Sequence, residues 1–146
     1  MSQYKHVLIA VDLTDESGQV IEKGQAIAER NNANISLIHA LEPLGFAYGG
    51  DIPMDLTTIQ EQLEQHAKDK LAELAEPLNI PKEQQHILVG VPDSEIHRMA
   101  KDQGVDLIVV GSHGRHGLSL LLGSTSTGVL HGAKCDVLAV RIQEEK

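Results

Sequence analysis

Glycines and hydroxyl groups are concentrated in residues 109–128, VVGSHGRHGLSLLLGSTSTG, directly after an apolar run. The groups that can bind a ligand are Gly111, Gly114, Gly123, Ser124 and Thr125. The first two glycines let the backbone turn with positive φ and expose its N–H groups without side-chain obstruction. The last three residues open a predicted helix, whose unpaired N–H groups and positive dipole end attract anions. These residues predict a phosphate-binding loop, although an ordinary turn with helix-capping hydroxyls fits the same pattern.

Asp12 is a second candidate, because it directly follows the apolar run HVLIAV.

Other classes of nucleotide or catalytic site lack their motifs here. The sequence contains no G-x-x-x-x-G-K-[ST] motif, which excludes a P-loop. No G-x-G-x-x-G follows the first predicted strand, which argues against a dinucleotide dehydrogenase. Catalysis needs a nucleophile with a base or an acid–base pair, and no partner for Asp12 is evident. His113 and His116 are too few for a metal site. We therefore predict a binding protein without a metal centre rather than a dedicated enzyme.

Five apolar runs alternate with helical patterns along the chain. The predicted strands span residues 6–11, 35–40, 86–90, 106–111 and 136–140. Such runs, rich in β-branched residues, are typical of strands that are covered on both faces. Their alternation with helices indicates a parallel, doubly wound sheet, since right-handed crossovers place helices on both faces. We predict a single-domain, Rossmann-like α/β fold over residues 1–146, with the strand order 3-2-1-4-5.

The carboxyl ends of the strands are where such a sheet binds its ligand, at the point where the strand order reverses. Asp12 follows the first strand, and Gly111 ends the fourth. If these two strands are neighbours, Asp12 and the glycine-rich loop face the same crevice.

An apolar stripe runs along the long helix that is predicted between the second and third strands. Its members are Ile59, Leu63, Ala67, Leu71 and Leu74. Spacings of three and four residues place these side chains on one helix face, so we expect the whole stripe to belong to the core.

Charge and composition exclude several function classes. The formal net charge is −9 and no basic run is longer than two residues, so the chain lacks the cationic face that nucleic-acid binding needs. No apolar stretch of about 18 residues exists to span a membrane. Cys135 is the single cysteine, so no intrachain disulfide is possible, as is usual in a reducing compartment. We expect a cytoplasmic protein.

Three segments, YKHVLIAVDLTDES, DLIVVGSHGRHGLSLLLGS and AKCDVLAVR, resemble the universal stress protein family, in particular its bacterial UspA branch. The resemblance covers essentially the whole chain. It implies a five-stranded α/β fold and a homodimer that forms through the fifth strand, over residues 137–142, with Val137 and Ile142 at its two ends. An exposed edge strand of this kind invites pairing with another chain.

The resemblance also implies a nucleotide site, because one branch of the family binds ATP through the pattern G-x2-G-x9-G-[ST]. By this likeness Asp12 meets the ribose, Ala10 and Ala40 line the adenine slot, and Val110 lies beneath it. The backbone of the three glycines, Gly111, Gly114 and Gly123, holds the phosphates together with the hydroxyls of Ser124 and Thr125, and Mg²⁺ can accompany them.

The chain departs from this pattern in one respect. Eight residues, 115–122, separate Gly114 from Gly123, where the family pattern has nine. Two functions therefore stay open. The first is a homodimeric regulatory or binding protein of the stress response that binds ATP, with at most weak ATPase or autophosphorylation activity. The second is a UspA-type dimer that binds no ATP and acts through protein–protein contacts.

Overall fold

The computed structural model describes residues 4–14, 17–41, 56–113, 129 and 132–142. The strands are β1 (His6–Ala10), β2 (Asn34–Leu41), β3 (Gln85–Val89), β4 (Leu107–His113) and β5 (Asp136–Ile142). The helices are α1 (Ser17–Asn31), α2 (Leu56–Ala75) and α3 (Pro92–Gln103), and two 3₁₀ turns, Glu76–Leu78 and Lys82–Gln84, join α2 to β3. The strands form one parallel sheet in the order β3-β2-β1-β4-β5. The predicted fold class and strand order are confirmed.

Two hydrophobic cores lie on opposite faces of the sheet. Alternate residues of β1 belong to different cores, since successive side chains of a strand point to opposite faces. Val7 and Ile9 pack with residues of α1 and α2, whereas Leu8 packs with residues of α3 and with Val129. The helices therefore cover both faces, as right-handed crossovers require.

Helix α1 approaches the sheet closely at Gly24. A Cβ atom at this position would lie 2.6 Å from Cδ1 and 2.8 Å from Cγ1 of Ile9, a fully buried side chain of β1. By contrast, a Cβ at Gly18 in the same helix would have no neighbour within 4 Å. The close contact at Gly24 holds α1 directly over β1, at the centre of the sheet.

The amino ends of β1 and β4 are joined by the carboxylate of Asp106. It accepts hydrogen bonds from the backbone N–H groups of Lys5, at 2.9 Å, and His6, at 3.0 Å. Burial alone acts to raise the pKa of Asp106, but these backbone donors outweigh it and hold the pKa below its ordinary value. The two central strands are thus fixed side by side at the start of the sheet.

The apolar stripe of α2 is only partly core, which corrects the sequence-based expectation. Ala67 and Leu71 are buried and Leu74 is half-buried, but Ile59 is 43% and Leu63 is 41% exposed. The reason is length. A helix of 20 residues spans about 30 Å, whereas β3, with five residues, spans about 17 Å. The first turns of α2 therefore extend beyond the edge strand on which its later turns pack.

None of the helices in the described part of the chain is long and apolar enough to cross a membrane.

Candidate functional site

Strands β1 and β4 are neighbours at the centre of the sheet, as the candidate crevice requires. Their pairing aligns Val7 with Leu107 and Ile9 with Val109. The chain proceeds from β1 through β2 to β3 on one side, and β4 and β5 lie on the other, so the strand order reverses between β1 and β4. Asp12 therefore lies at the carboxyl edge of the sheet beside the end of β4, at the position where such folds bind ligands.

The carboxylate of Asp12 organises the turn between β1 and α1. Its Oδ1 accepts hydrogen bonds from the Thr14 N–H at 3.1 Å, the Thr14 hydroxyl at 2.7 Å and the Ser17 hydroxyl at 3.1 Å. Ser17, the first residue of α1, is buried, whereas Asp12 and Thr14 are exposed. Leu13 between them adopts a positive φ of 62°, which is uncommon outside glycine and marks a constrained turn. The turn holds the aspartate at the carboxyl edge of the sheet.

His39, on β2, supports the same turn from the neighbouring strand. Its Nδ1 lies 2.7 Å from the backbone oxygen of Val11, and since a carbonyl only accepts, the ring must donate from Nδ1. The Val11 N–H in turn donates to the oxygen of Ile38 at 2.9 Å. No sequence pattern pointed to His39, because the contact depends on the pairing of β1 with β2. Thr14 and Ser17 lie two and five residues after Asp12, and the folded turn brings their hydroxyls to its carboxylate.

Small side chains lie on one face of the sheet beside this turn. Ala10 packs against the core cluster that contains Val110, on the face covered by α3. Ala10 pairs with Ile38, and Ala40 is two residues further along β2, so Ala40 faces the same side. Ala10 and Ala40 are half-buried, and Val110 is buried beneath the surface. These three predicted residues are therefore brought together on one face at the carboxyl end of adjacent strands.

Gly111 lies within β4 rather than at its end, because the strand ends two residues later than predicted, at His113. Gly111 pairs with Val140 of β5. A Cβ here would be 2.6 Å from Cδ1 of Ile142 and 3.1 Å from Cγ2 of Val20. The missing side chain thus has a packing role, since it lets β5 and α1 approach β4. A contact between its backbone and a phosphate stays a prediction.

The remaining predicted site residues lie outside the described part of the chain. They are Gly114, Gly123, Ser124 and Thr125. The structure therefore presents the half of the candidate site that was assigned to the adenine and ribose, and not the half that was assigned to the phosphates. Among the described residues, no three histidine, cysteine or acidic side chains converge on a point where they could hold a metal ion.

A doubly wound parallel sheet with an aspartate and small residues at its switch point defines a Rossmann-like α/β protein. The sequence model of the Universal stress protein family matches residues 3–141 of this chain. The chain belongs to the universal stress protein family. Universal stress protein A homolog 2 from Coxiella burnetii is 47% identical to it, over 98% of this chain and 99% of that protein. This name agrees with the predicted UspA type.

Solved structures of the family have the same fold. Universal stress protein UspA from Lactobacillus plantarum superposes with a TM-score of 0.81 at 24% identity, over 97% of this chain and all of that one. A universal stress protein that was crystallised in complex with cAMP superposes with a TM-score of 0.62 at 26% identity, over 95% of this chain and 98% of that one.

Proposed function

We propose that the protein is a cytoplasmic, homodimeric regulatory module of the stress response that binds ATP at the carboxyl ends of β1 and β4. The observation that carries this proposal is the adjacency of these strands, which puts Asp12 at the carboxyl edge of the sheet, the edge towards which Ala10 and Ala40 also lie. A carboxylate accepts hydrogen bonds from the ribose hydroxyls. The two alanines leave room for a flat base over the sheet.

Two further observations support an adenine nucleotide in this crevice. Asp12 is held in place by its own turn, so little conformational freedom is lost when a ligand binds. A family member of the same fold was crystallised with cAMP, which contains adenine, ribose and phosphate. Under this proposal the glycine-rich segment that follows β4 in the sequence, with Gly114, Gly123, Ser124 and Thr125, binds the phosphates, and Mg²⁺ accompanies them.

Thermal unfolding with increasing ATP and Mg²⁺ tests this proposal. A ligand that binds only the folded state adds about 2.7 kcal/mol of stability at 100 times its dissociation constant. We expect a saturable rise of the unfolding temperature with ATP, and a smaller rise with GTP at the same concentrations. An unfolding temperature that stays constant up to millimolar ATP would contradict nucleotide binding.

A second candidate function is a dimer that acts through protein contacts alone and binds no ATP. Two observations favour it. The spacing from Gly114 to Gly123 is one residue shorter than in the ATP-binding pattern. Gly111, moreover, has a packing reason to be glycine, because Ile142 and Val20 fill the space beside it. The same titration decides between the two functions, since this candidate predicts no response to ATP.

Dimerisation through β5 rests on the position of this strand at one edge of the sheet. β5 pairs with β4 on its inner side. Val137, Leu138 and Ala139 in its first half are apolar but only half-buried, whereas Val140 and Ile142 are buried. An edge strand with partly exposed apolar side chains is suited to pairing with a second copy, and we propose residues 137–142 as the interface.

The two edges of the sheet offer a matched test of this interface. Val137→Glu places a charge on β5, and Val89→Glu makes the same change on β3, the opposite edge, where Val89 is 39% exposed. We expect sedimentation velocity to show a dimer for the wild type and for Val89→Glu, and a monomer for Val137→Glu. If the wild type and Val137→Glu were dimers and Val89→Glu were a monomer, the interface would be assigned to β3 instead.

A further inference from the structure

A cavity of about 560 Å³ lies between α3 and the segment that precedes β5. Its apolar lining comes from Ala100, Val105, Ile108 and Cys135. Val105 and Cys135 stand just before β4 and β5, so the cavity lies at the amino ends of these strands. Asp12 lies at the carboxyl edge, which makes this cavity separate from the proposed ATP crevice. Its volume is within the range of about 300–1,000 Å³ that is typical of small-molecule sites.

The charged residues that line this cavity are all basic in the described part of the chain: Arg98, Lys101 and Lys134. Arg98 forms an ion pair with Glu95. Neither Lys101 nor Lys134 forms an ion pair with any described residue. Lys101 and Lys134 thus place two positive charges at one cavity, and together they favour an anion. Burial and the charges of Asp136 and Asp106 raise the pKa of the Cys135 thiol on the same lining, so the anionic group belongs beside the lysines rather than beside the thiol.

The end of α3 does not oppose an anion at this place as an open helix end would. The carboxyl end of a helix carries partial negative charge on its unbonded carbonyl groups. Here the N–H of Gly104 donates to the oxygen of Lys101, at 3.4 Å, and the N–H of Val105 donates to the oxygen of Ala100, at 2.9 Å. These carbonyls are therefore occupied, and Lys101 in the last turn offsets the helix dipole.

The two sides of the cavity meet at a tight contact. A Cβ atom at Gly132 would lie 2.8 Å from Nε2 of His97, so the imidazole packs against the backbone before β5. This contact joins α3 to the segment that carries Lys134 and Cys135. The cavity is thus built between two packed elements rather than at one loose loop.

We propose that this cavity binds an amphipathic organic anion, with its apolar body against Ala100, Val105 and Ile108 and its carboxylate or phosphate between Lys101 and Lys134. Apolar contact gives the affinity, and the two ammonium groups select the charge. Such a ligand would act at a site that ATP does not occupy, so its binding does not depend on the function proposed above.

A series of eight-carbon probes separates the role of charge from that of apolar contact. Equilibrium dialysis is carried out with octanoate, octyl phosphate, octanol and octylamine. We expect one bound molecule of each anion per chain, and at least about tenfold weaker binding of octanol and octylamine, since hydrogen bonds to charged groups are the strong ones. Comparison of the two anions shows which head group the site prefers. Equal affinity for octanol and octanoate, or no binding of either anion, would overturn the proposal.

The position of the ligand is tested with the single cysteine and with paired lysine variants. Octanoate should slow the modification of Cys135 by the neutral reagent N-ethylmaleimide. Lys101→Ala combined with Lys134→Ala should weaken octanoate binding about tenfold. The control combines Lys23→Ala with Lys82→Ala, which removes the same charge from exposed sites elsewhere and should leave binding unchanged. Equal weakening in both double variants would overturn the assigned position, as would binding that leaves Cys135 equally reactive. Saturating ATP should leave the affinity for octanoate unchanged, because the cavity is separate from the ATP crevice. Competition between the two ligands would overturn the assigned position.

Discussion

Replacement of Asp12 by alanine removes the acceptor of three hydrogen bonds in the turn before α1. The two donors of Thr14 are exposed and can bond to water instead, so their loss costs less than about 1 kcal/mol. The hydroxyl of Ser17 is buried, and a buried donor without an acceptor costs about 1–3 kcal/mol. We expect Asp12→Ala to lower the free energy of unfolding by about 2 kcal/mol in a urea titration followed by circular dichroism.

The asparagine variant separates this structural role from ligand binding. Asp12→Asn keeps an acceptor oxygen at the same place and removes only the charge, so we expect its stability to be within about 1 kcal/mol of the wild type. A ribose hydroxyl that donates to a carboxylate forms a charge-assisted bond, whose weakening reduces affinity about tenfold to a hundredfold. Isothermal titration with ATP and Mg²⁺ should therefore show a clear loss of affinity in Asp12→Asn despite its intact fold.

Two results would refute this reasoning separately. If Asp12→Ala unfolded within about 0.5 kcal/mol of the wild type, the hydrogen bonds of the turn would not stabilise the fold as described. If Asp12→Asn bound ATP as tightly as the wild type, the carboxylate would not contact the nucleotide.

Three further predictions concern the scaffold. Gly24→Ala should be less stable than Gly18→Ala by about 1–3 kcal/mol in urea unfolding, because only at Gly24 would the added Cβ overlap Ile9. Equal effects of the two substitutions would contradict the close approach of α1 to the sheet. Leu71→Ala should lower the free energy of unfolding by about 2–5 kcal/mol and Leu63→Ala by much less, because Leu71 is 1% and Leu63 is 41% exposed. Similar losses in the two variants would show that the first turns of α2 are buried. The lowered pKa of Asp106 stabilises the folded state above the ordinary value of 3.8, and this contribution is lost as the pH falls through the lower folded pKa. Asp106→Asn should therefore be less stable than the wild type at neutral pH, with a difference that shrinks below about pH 3.8, and a difference independent of pH would contradict the backbone bonds as its cause.

The fold was predictable from the sequence because its strands are continuous apolar runs bounded by polar turns. The run HVLIAV became β1, with one residue of difference at its end. The stripe of α2 was predicted less well, since periodicity shows which side chains share a face but not how far the supporting strand extends. Ile59 and Leu63 continue the pattern beyond the end of β3 and are exposed.

The candidate site was predictable in position but not in its internal contacts. Asp12 was identified because it follows a buried strand, and the neighbouring β4 lies where the doubly wound topology places it. Gly111 was interpreted as a residue that clears space for a ligand, whereas its neighbours Val20 and Ile142 come from α1 and β5. Such a contact joins residues that are distant along the chain. No local pattern can reveal it.

Hydrogen–deuterium exchange with and without ATP and Mg²⁺ tests most directly whether a nucleotide occupies the crevice between β1 and β4. We expect ATP to slow amide exchange in residues 11–14 and 111–113 and to leave residues 97–105, beside the second cavity, unchanged. Unchanged exchange in residues 11–14 at saturating ATP, or protection confined to residues 97–105, would contradict this assignment.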